Sequence, residues 1–164
     1  MTSHLEPIAS VEALDAEIEG SVIAVLARDH VRWLWLRDGK EWIALDPGDR
    51  ADGEETTPSF SVFHHHANPA RGRTIIKFWE PGQTGHGVIT GAEALEALPV
   101  DSIVLFDEGE WWPLVWQRTG KEWLEMDPSD KSDGETTLPS RLLPAMSPDA
   151  RILHLWSPPE GTSR

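Results

Sequence analysis

An internal duplication constrains this chain more than any other feature. Sliding the sequence against itself aligns residues 11–59 with 92–140 at a constant offset of 81, without a gap. Identities include Glu12/Glu93, Leu14/Leu95, Ser21/Ser102, Trp35/Trp116, Arg37/Arg118 and Gly39-Lys40-Glu41-Trp42 against Gly120-Lys121-Glu122-Trp123. They continue through Asp46-Pro47/Asp127-Pro128, Asp52-Gly53-Glu54/Asp133-Gly134-Glu135 and Pro58-Ser59/Pro139-Ser140. The match resumes where Ile75-Ile76-Lys77-Phe78-Trp79 faces Ile152-Leu153-His154-Leu155-Trp156. Between these anchors the first copy is four residues longer, and it carries His64-His65-His66 there. A fixed period of this kind marks a repeated supersecondary unit.

The expected boundaries are unit 1 at 8–79, a Gly-rich linker at 80–89, unit 2 at 90–157 and a disordered tail at 158–164. A unit of about 60–70 residues buries only a small core, so the two copies are expected to pack together. Each opens on a short amphipathic helix. In the second, Thr90 and Glu93 have capping-box spacing and Pro99 ends the run; in the first, Ser10 is the expected cap. A strand follows, then a hairpin with Asp38-Gly39 or Thr119-Gly120 as its two-residue turn. That turn would set Trp35 opposite Trp42, and Trp116 opposite Trp123, with Arg37/Lys40 and Arg118/Lys121 on the same face. A polar loop, a helical turn near 141–146 and a closing strand complete the unit. The fold class read from the sequence is therefore α+β, a tandem pseudo-symmetric repeat. Each unit is a short N-terminal helix with a small, mainly antiparallel sheet and a Trp-paired hairpin.

Charge narrows the partners. With 28 acidic against 14 basic residues the formal charge is −14, a field that repels phosphate backbones and anionic membranes and favours a basic protein surface. There is no cysteine, hence no disulfide and no thiolate metal site. The opening residues MTSHLEPIAS lack a basic start and an apolar stretch, so the expected location is cytoplasmic, with no membrane partner and no direct nucleic acid partner.

Three groups of residues carry candidate chemistry. The acidic loops hold Asp46, Asp49, Asp52 and Glu54 in one copy and Asp127, Asp130, Asp133 and Glu135 in the other. Their three-residue spacing departs from the two-residue spacing of calcium loops and suits a solvated turn or an interaction surface. Of nine tryptophans, Trp33, Trp111 and Trp112 do not recur, which nominates them for surface contacts. Of the three histidines, His64 and His66 could share an ion if the segment is a strand, because the middle one then faces away. No nucleophile elbow, zinc signature or paired-carboxylate site is recognisable, so the chain is read as non-enzymatic and without a cofactor.

Through Ala97-Leu98-Pro99, Ser102, Trp116-Gln117, Gly120 and Trp123, the second copy resembles a small domain of actinobacteriophage accessory proteins. The resemblance implies a phage or prophage accessory protein in the host cytosol; it assigns no functional residue. Three function classes follow. The first is an acidic interaction protein that binds and modulates a host protein, with an immunity protein against a basic toxin as a close variant. The second is a DNA mimic that occupies a nucleic-acid-binding protein. The third is a small-ligand or metal-binding protein using the histidines or a Trp-lined pocket between copies.

Overall fold

The computed structural model describes residues 7–28, 30–45, 56–82, 86–107, 114–126, 137–139 and 151–159. The architecture is mixed and dominated by strands, as two antiparallel six-stranded sheets with few helices. The first half runs β1 (Pro7–Ile8), α1 (Val11–Asp15), β2 (Val22–Ala27), β3 (His30–Asp38), β4 (Glu41–Leu45), β5 (Thr56–Pro58), α2 (Ser59–Ser61) and β6 (Arg73–Trp79). The second runs β7 (Gly87–Ile89), α3 (Ala92–Glu96), β8 (Ile103–Asp107), β9 (Leu114–Thr119), β10 (Glu122–Met126), β11 (Thr137–Pro139) and β12 (Arg151–Trp156). Strand order is β1-β6-β2-β3-β4-β5 in one sheet and β7-β12-β8-β9-β10-β11 in the other, so strands matched by sequence hold matching places.

This is richer in strand than the helix-plus-small-sheet unit expected. Helices α1 and α3 have only five residues each. The short edge strands escape detection because two or three residues show no alternation. One of them, β7, lies inside the stretch expected as linker, pairing Ile89, Val88 and Gly87 with Ile152, Leu153 and His154. Pro7, Pro58 and Pro139 all sit in edge strands, where a missing N–H need not cost a ladder bond.

Alternation along β2 and β8 divides the core into three layers. Val22 and Ala24 face one way and meet Ile103 and Leu105 of the second sheet, with Leu34, Leu36, Phe78, Val115, Leu153 and Leu155, in one contiguous cluster. The sheets thus share a central apolar layer, in which the rings of Phe78 and Trp156 stack at 6.4 Å and 19°. Ile23 and Val25 face outward with Trp35 and Trp42 and are covered by Leu14 of α1. Val104 and Phe106 do the same with Trp116 and Trp123 under Leu95 of α3. Both faces of each sheet are therefore buried, which explains why β2 reads as a nearly unbroken apolar run. A register shift beside Trp79, matched by one between His154 and Trp156, re-aims the end of each closing strand so that Phe78 and Trp79 both enter the central layer.

The hairpin register differs from the expected one by two residues. Asp38 pairs with Glu41, Arg37 with Trp42 and Trp35 with Ala44, so the turn is Gly39-Lys40. In the second sheet Arg118 pairs with Trp123 and Glu125 with Trp116 around Gly120-Lys121. Gly39 and Gly120 both have φ +57 while the following lysine stays negative, as a type II′ turn requires of its first central residue. A two-residue shift preserves the face. The tryptophans therefore stay on one side but sit diagonally, and an arginine takes the place opposite Trp42 or Trp123.

Gly20 (φ +87) donates its N–H to the Arg37 carbonyl at 2.9 Å, and a Cβ there would lie 2.8 Å from Cγ of Pro81. Asp101 holds the equivalent place with φ +72 and the same bond to Arg118. Gly20→Ala is expected to lower unfolding free energy by about 1–3 kcal/mol, through the strained φ and the Pro81 contact. Urea denaturation checks this; a loss below about 0.5 kcal/mol would mean that the ring moves aside freely.

Candidate functional site

The recurring Arg-Trp pair is a structural device. Arg37, 5% exposed, lies with its guanidinium carbon 5.2 Å from the Trp42 ring centroid. It donates to Ser59 Oγ at 3.1 Å and toward the Asp15 carbonyl at the end of α1 at 3.4 Å. Ser59 Oγ also accepts from Trp42 Nε1 at 3.0 Å. Arg118 repeats the arrangement over Trp123 at 5.9 Å and donates to the Leu95 carbonyl at 2.7 Å. Each arginine satisfies carbonyls at a helix C-terminus, where a cation also suits the helix dipole. Arg37, Trp42 and their counterparts are thus occupied in joining hairpin to helix.

At the end of β6 and β12 the two halves diverge. Lys77 lies 3.5 Å from Glu17 and 3.6 Å from Glu80. The residues aligned with Lys77 and Glu80 are His154 and Ser157. Nε2 of His154 and Oγ of Ser157 are 2.7 Å apart, and Ser157 Oγ is 2.7 Å from Ser102 Oγ. An ion cluster in one half has become a hydrogen-bonded His-Ser-Ser chain in the other. Ser102 is fully buried, so this chain runs into the core and serves as an internal polar network.

His86, from the segment before β7, adjoins the backbone of Phe78 and His154. Burial lowers its pKa from the usual 6.5, against opposing hydrogen bonds to those two residues. Burial also lowers that of His154, against a hydrogen bond to the Trp156 backbone and with help from the neighbouring His86 charge. Below about 6.5 the unfolded chain takes up protons that these folded histidines resist, so stability is complete above that value and falls as pH drops through it. The His86→Gln/His154→Gln double variant is expected to flatten the slope of stability between about pH 7.5 and 5. An unchanged slope in chemical denaturation would refute the assignment.

Most residues nominated from sequence lie outside the described residues: Asp46, Asp49, Asp52, Glu54, Asp127, Asp130, Asp133, Glu135, Trp111 and Trp112. So does the helical turn expected at 141–146. Trp33 is described. It packs at the margin of the outer core of the first sheet, with the guanidinium carbons of Arg32 and Arg73 at 4.9 and 5.2 Å from its ring centroid. Its setting is cationic.

His64 and His65 lie on a π-helical turn, Val62–His66, and not on a strand. The alternation argument for His64 and His66 as paired ligands therefore lapses. His64 contacts Phe60 at 4.4 Å and Phe63 at 5.2 Å between ring centroids. The insertion of the first copy forms an aromatic knuckle with Phe60 exposed. The side chain of His66 is outside the described residues, and among those described no group of three or more metal-ligating side chains converges. No helix among them is long and apolar enough to cross a membrane.

No family model, curated protein or solved structure matches this chain. Charge is unevenly distributed over the described residues. Arg37 and Arg118 hold helix ends, Lys77 serves Glu17 and Glu80, and Arg151 meets Asp107 at 2.6 Å. Arg28, Arg32, Arg71 and Arg73 collect at one end of the first sheet. The outer helices and their flanks expose Glu12, Asp15 and Glu19 on one side and Glu93 and Glu96 on the other.

Proposed function

We propose that the chain is a non-enzymatic acidic interaction protein, built on a duplicated, pseudo-symmetric scaffold, that engages a basic protein surface. The observation that carries this reading is the placement of the cations. Among the described residues, four of the six cations away from that end, Arg37, Lys77, Arg118 and Arg151, are committed to helix ends and ion pairs, and the helix-bearing outer faces present exposed carboxylates to a partner. Complementary charge of this kind sets encounter rate and specificity. The paired acidic loops, with Trp111 and Trp112, are the contact residues of this reading, and Trp33, set between Arg32 and Arg73, drops out of them. A cytosolic phage accessory protein that modulates a host protein is the setting in which it fits, and it requires no cofactor.

This reading is favoured over a DNA mimic by a specific feature. The acids of α1 and α3 fall on opposite outer faces, whereas a mimic needs one continuous acidic face. Affinity capture from host lysate tests the proposal, using the wild type and the Asp49→Asn/Asp52→Asn/Asp130→Asn/Asp133→Asn variant as baits. A basic protein should be retained by the wild type, weakened by salt, and reduced about tenfold or more with the variant. Equal recovery on both baits, or no specific recovery, would count against it.

A further inference from the structure

We propose that β7, an outer strand of the second six-stranded sheet, is an open edge that takes an extended segment of a basic protein partner as a further strand. The two sheets have four edges, formed by β1 and β5 in one and by β7 and β11 in the other. Unpaired N–H and C=O groups at such an edge are a template for another chain, and proline is one of the residues that blunt it. Pro7, Pro58 and Pro139 stand in β1, β5 and β11. Gly87-Val88-Ile89 of β7 contains no proline.

The duplication shows which way the groups of β7 point. Pro7 pairs with Ile76 and Ile8 with Ile75; the aligned residues repeat this register as Val88 with Leu153 and Ile89 with Ile152. Proline has no N–H, so Pro7 and Ile76 form the kind of antiparallel pair whose members do not bond each other. Val88 holds the same place, and its N–H and C=O therefore face away from β12, toward the open edge. The outward donor that Pro7 removes from the first sheet is present in the second. Among the described residues, no backbone hydrogen bond outside the strand ladders involves Val88. Its side chain is 55% exposed, opposite Leu153 of the central layer, so an apolar residue of an added strand would cover it.

Charge selects the occupant. Strand β7 leads into α3, whose Glu93 and Glu96 are exposed. Arg151, at the start of β12, is paired with Asp107 at 2.6 Å. A second copy of the chain brings a net charge of −14 to this edge and is repelled, whereas a segment alternating basic with apolar residues is attracted. Main-chain bonds then supply affinity, and alternate side chains supply specificity. The inference rests on the reading of a basic partner and adds how such a partner is held.

The test is fluorescence anisotropy of the full chain with a labelled heptapeptide that alternates lysine and valine. Saturable binding is expected, weakened about tenfold or more by Val88→Pro and less than about threefold by Val88→Thr, which keeps the N–H. Proline is expected to fit there, because Pro7 occupies the aligned place in the first sheet. Methylating the valine nitrogens of the peptide should cause the same loss with the wild type, independently of any effect on folding. No saturable binding to the wild type, equal binding of the methylated peptide, or equal effects of the two variants would overturn the proposal. So would equal binding of the matching glutamate–valine peptide, or a wild-type dimer that Val88→Pro dissociates. In the capture experiment, a basic protein retained equally by wild-type and Val88→Pro baits overturns the edge alone, whereas no specific recovery overturns the acidic-partner reading itself.

Discussion

Trp42→Ala is expected to remove about 3–5 kcal/mol of stability, the range for deleting a buried aromatic side chain. Trp42 is fully buried beneath α1, its Nε1 donates to Ser59, and its ring supports the buried Arg37 guanidinium. Against a total of about 5–15 kcal/mol for a single domain, this loss brings the chain close to unfolding at room temperature. Trp42→Phe keeps most of the apolar surface and loses the indole donor, while Arg37 still donates to Ser59. It should cost about 1–2 kcal/mol. Urea midpoints for the two variants measure the difference; near-equal losses would mean that the indole bond, and not the packing, carries the site.

The second large effect concerns the central layer. Leu105 is fully buried in the cluster contributed by both sheets. Leu105→Asp would place a carboxylate there without a cation beside it among the described residues, a burial that costs several kcal/mol. Circular dichroism should show the entire β signal lost in one transition. Retention of about half the signal would show that the first sheet stands without the second.

Much of the scaffold was legible because the duplication repeats it. The helix, strand, hairpin and closing strand come in the same order in both halves, whereas β2 reads as a nearly unbroken apolar run, and only the fold separates the face of Val22 and Ala24 from that of Ile23 and Val25. What sequence alone could not decide was which two residues form the hairpin turn, since Asp38-Gly39 and Gly39-Lys40 both suit one. The positive φ at Gly39 followed by a negative φ at Lys40 decides it, and this is a property of the backbone. The recurrence of Arg37 and Arg118 was visible, but their role depends on a helix folded back over the hairpin. Likewise, Ala27 and Arg73 are far apart in sequence and are set side by side only by β2–β6 pairing. The histidines illustrate a third kind of difficulty, because a π-helical turn has no signature in three consecutive identical residues.

The halves differ where folding places fewer demands. Lys77 and Glu80 against His154 and Ser157, and the basic row at the end of β2 against Gly109 and Pro113, are substitutions on a common frame. This is consistent with one scaffold carrying different chemistry at its two ends. It also requires that the frame behave as one body.

Native-state hydrogen exchange of Leu105→Ala tests that requirement most directly. The substitution should cost about 2–5 kcal/mol, and the slowest amides of β2 and β6 should lose the same free energy as those of β8 and β9. Loss of protection confined to β8, β9 and β12, with β2 and β6 unchanged, would contradict a shared core and make the two halves independent domains.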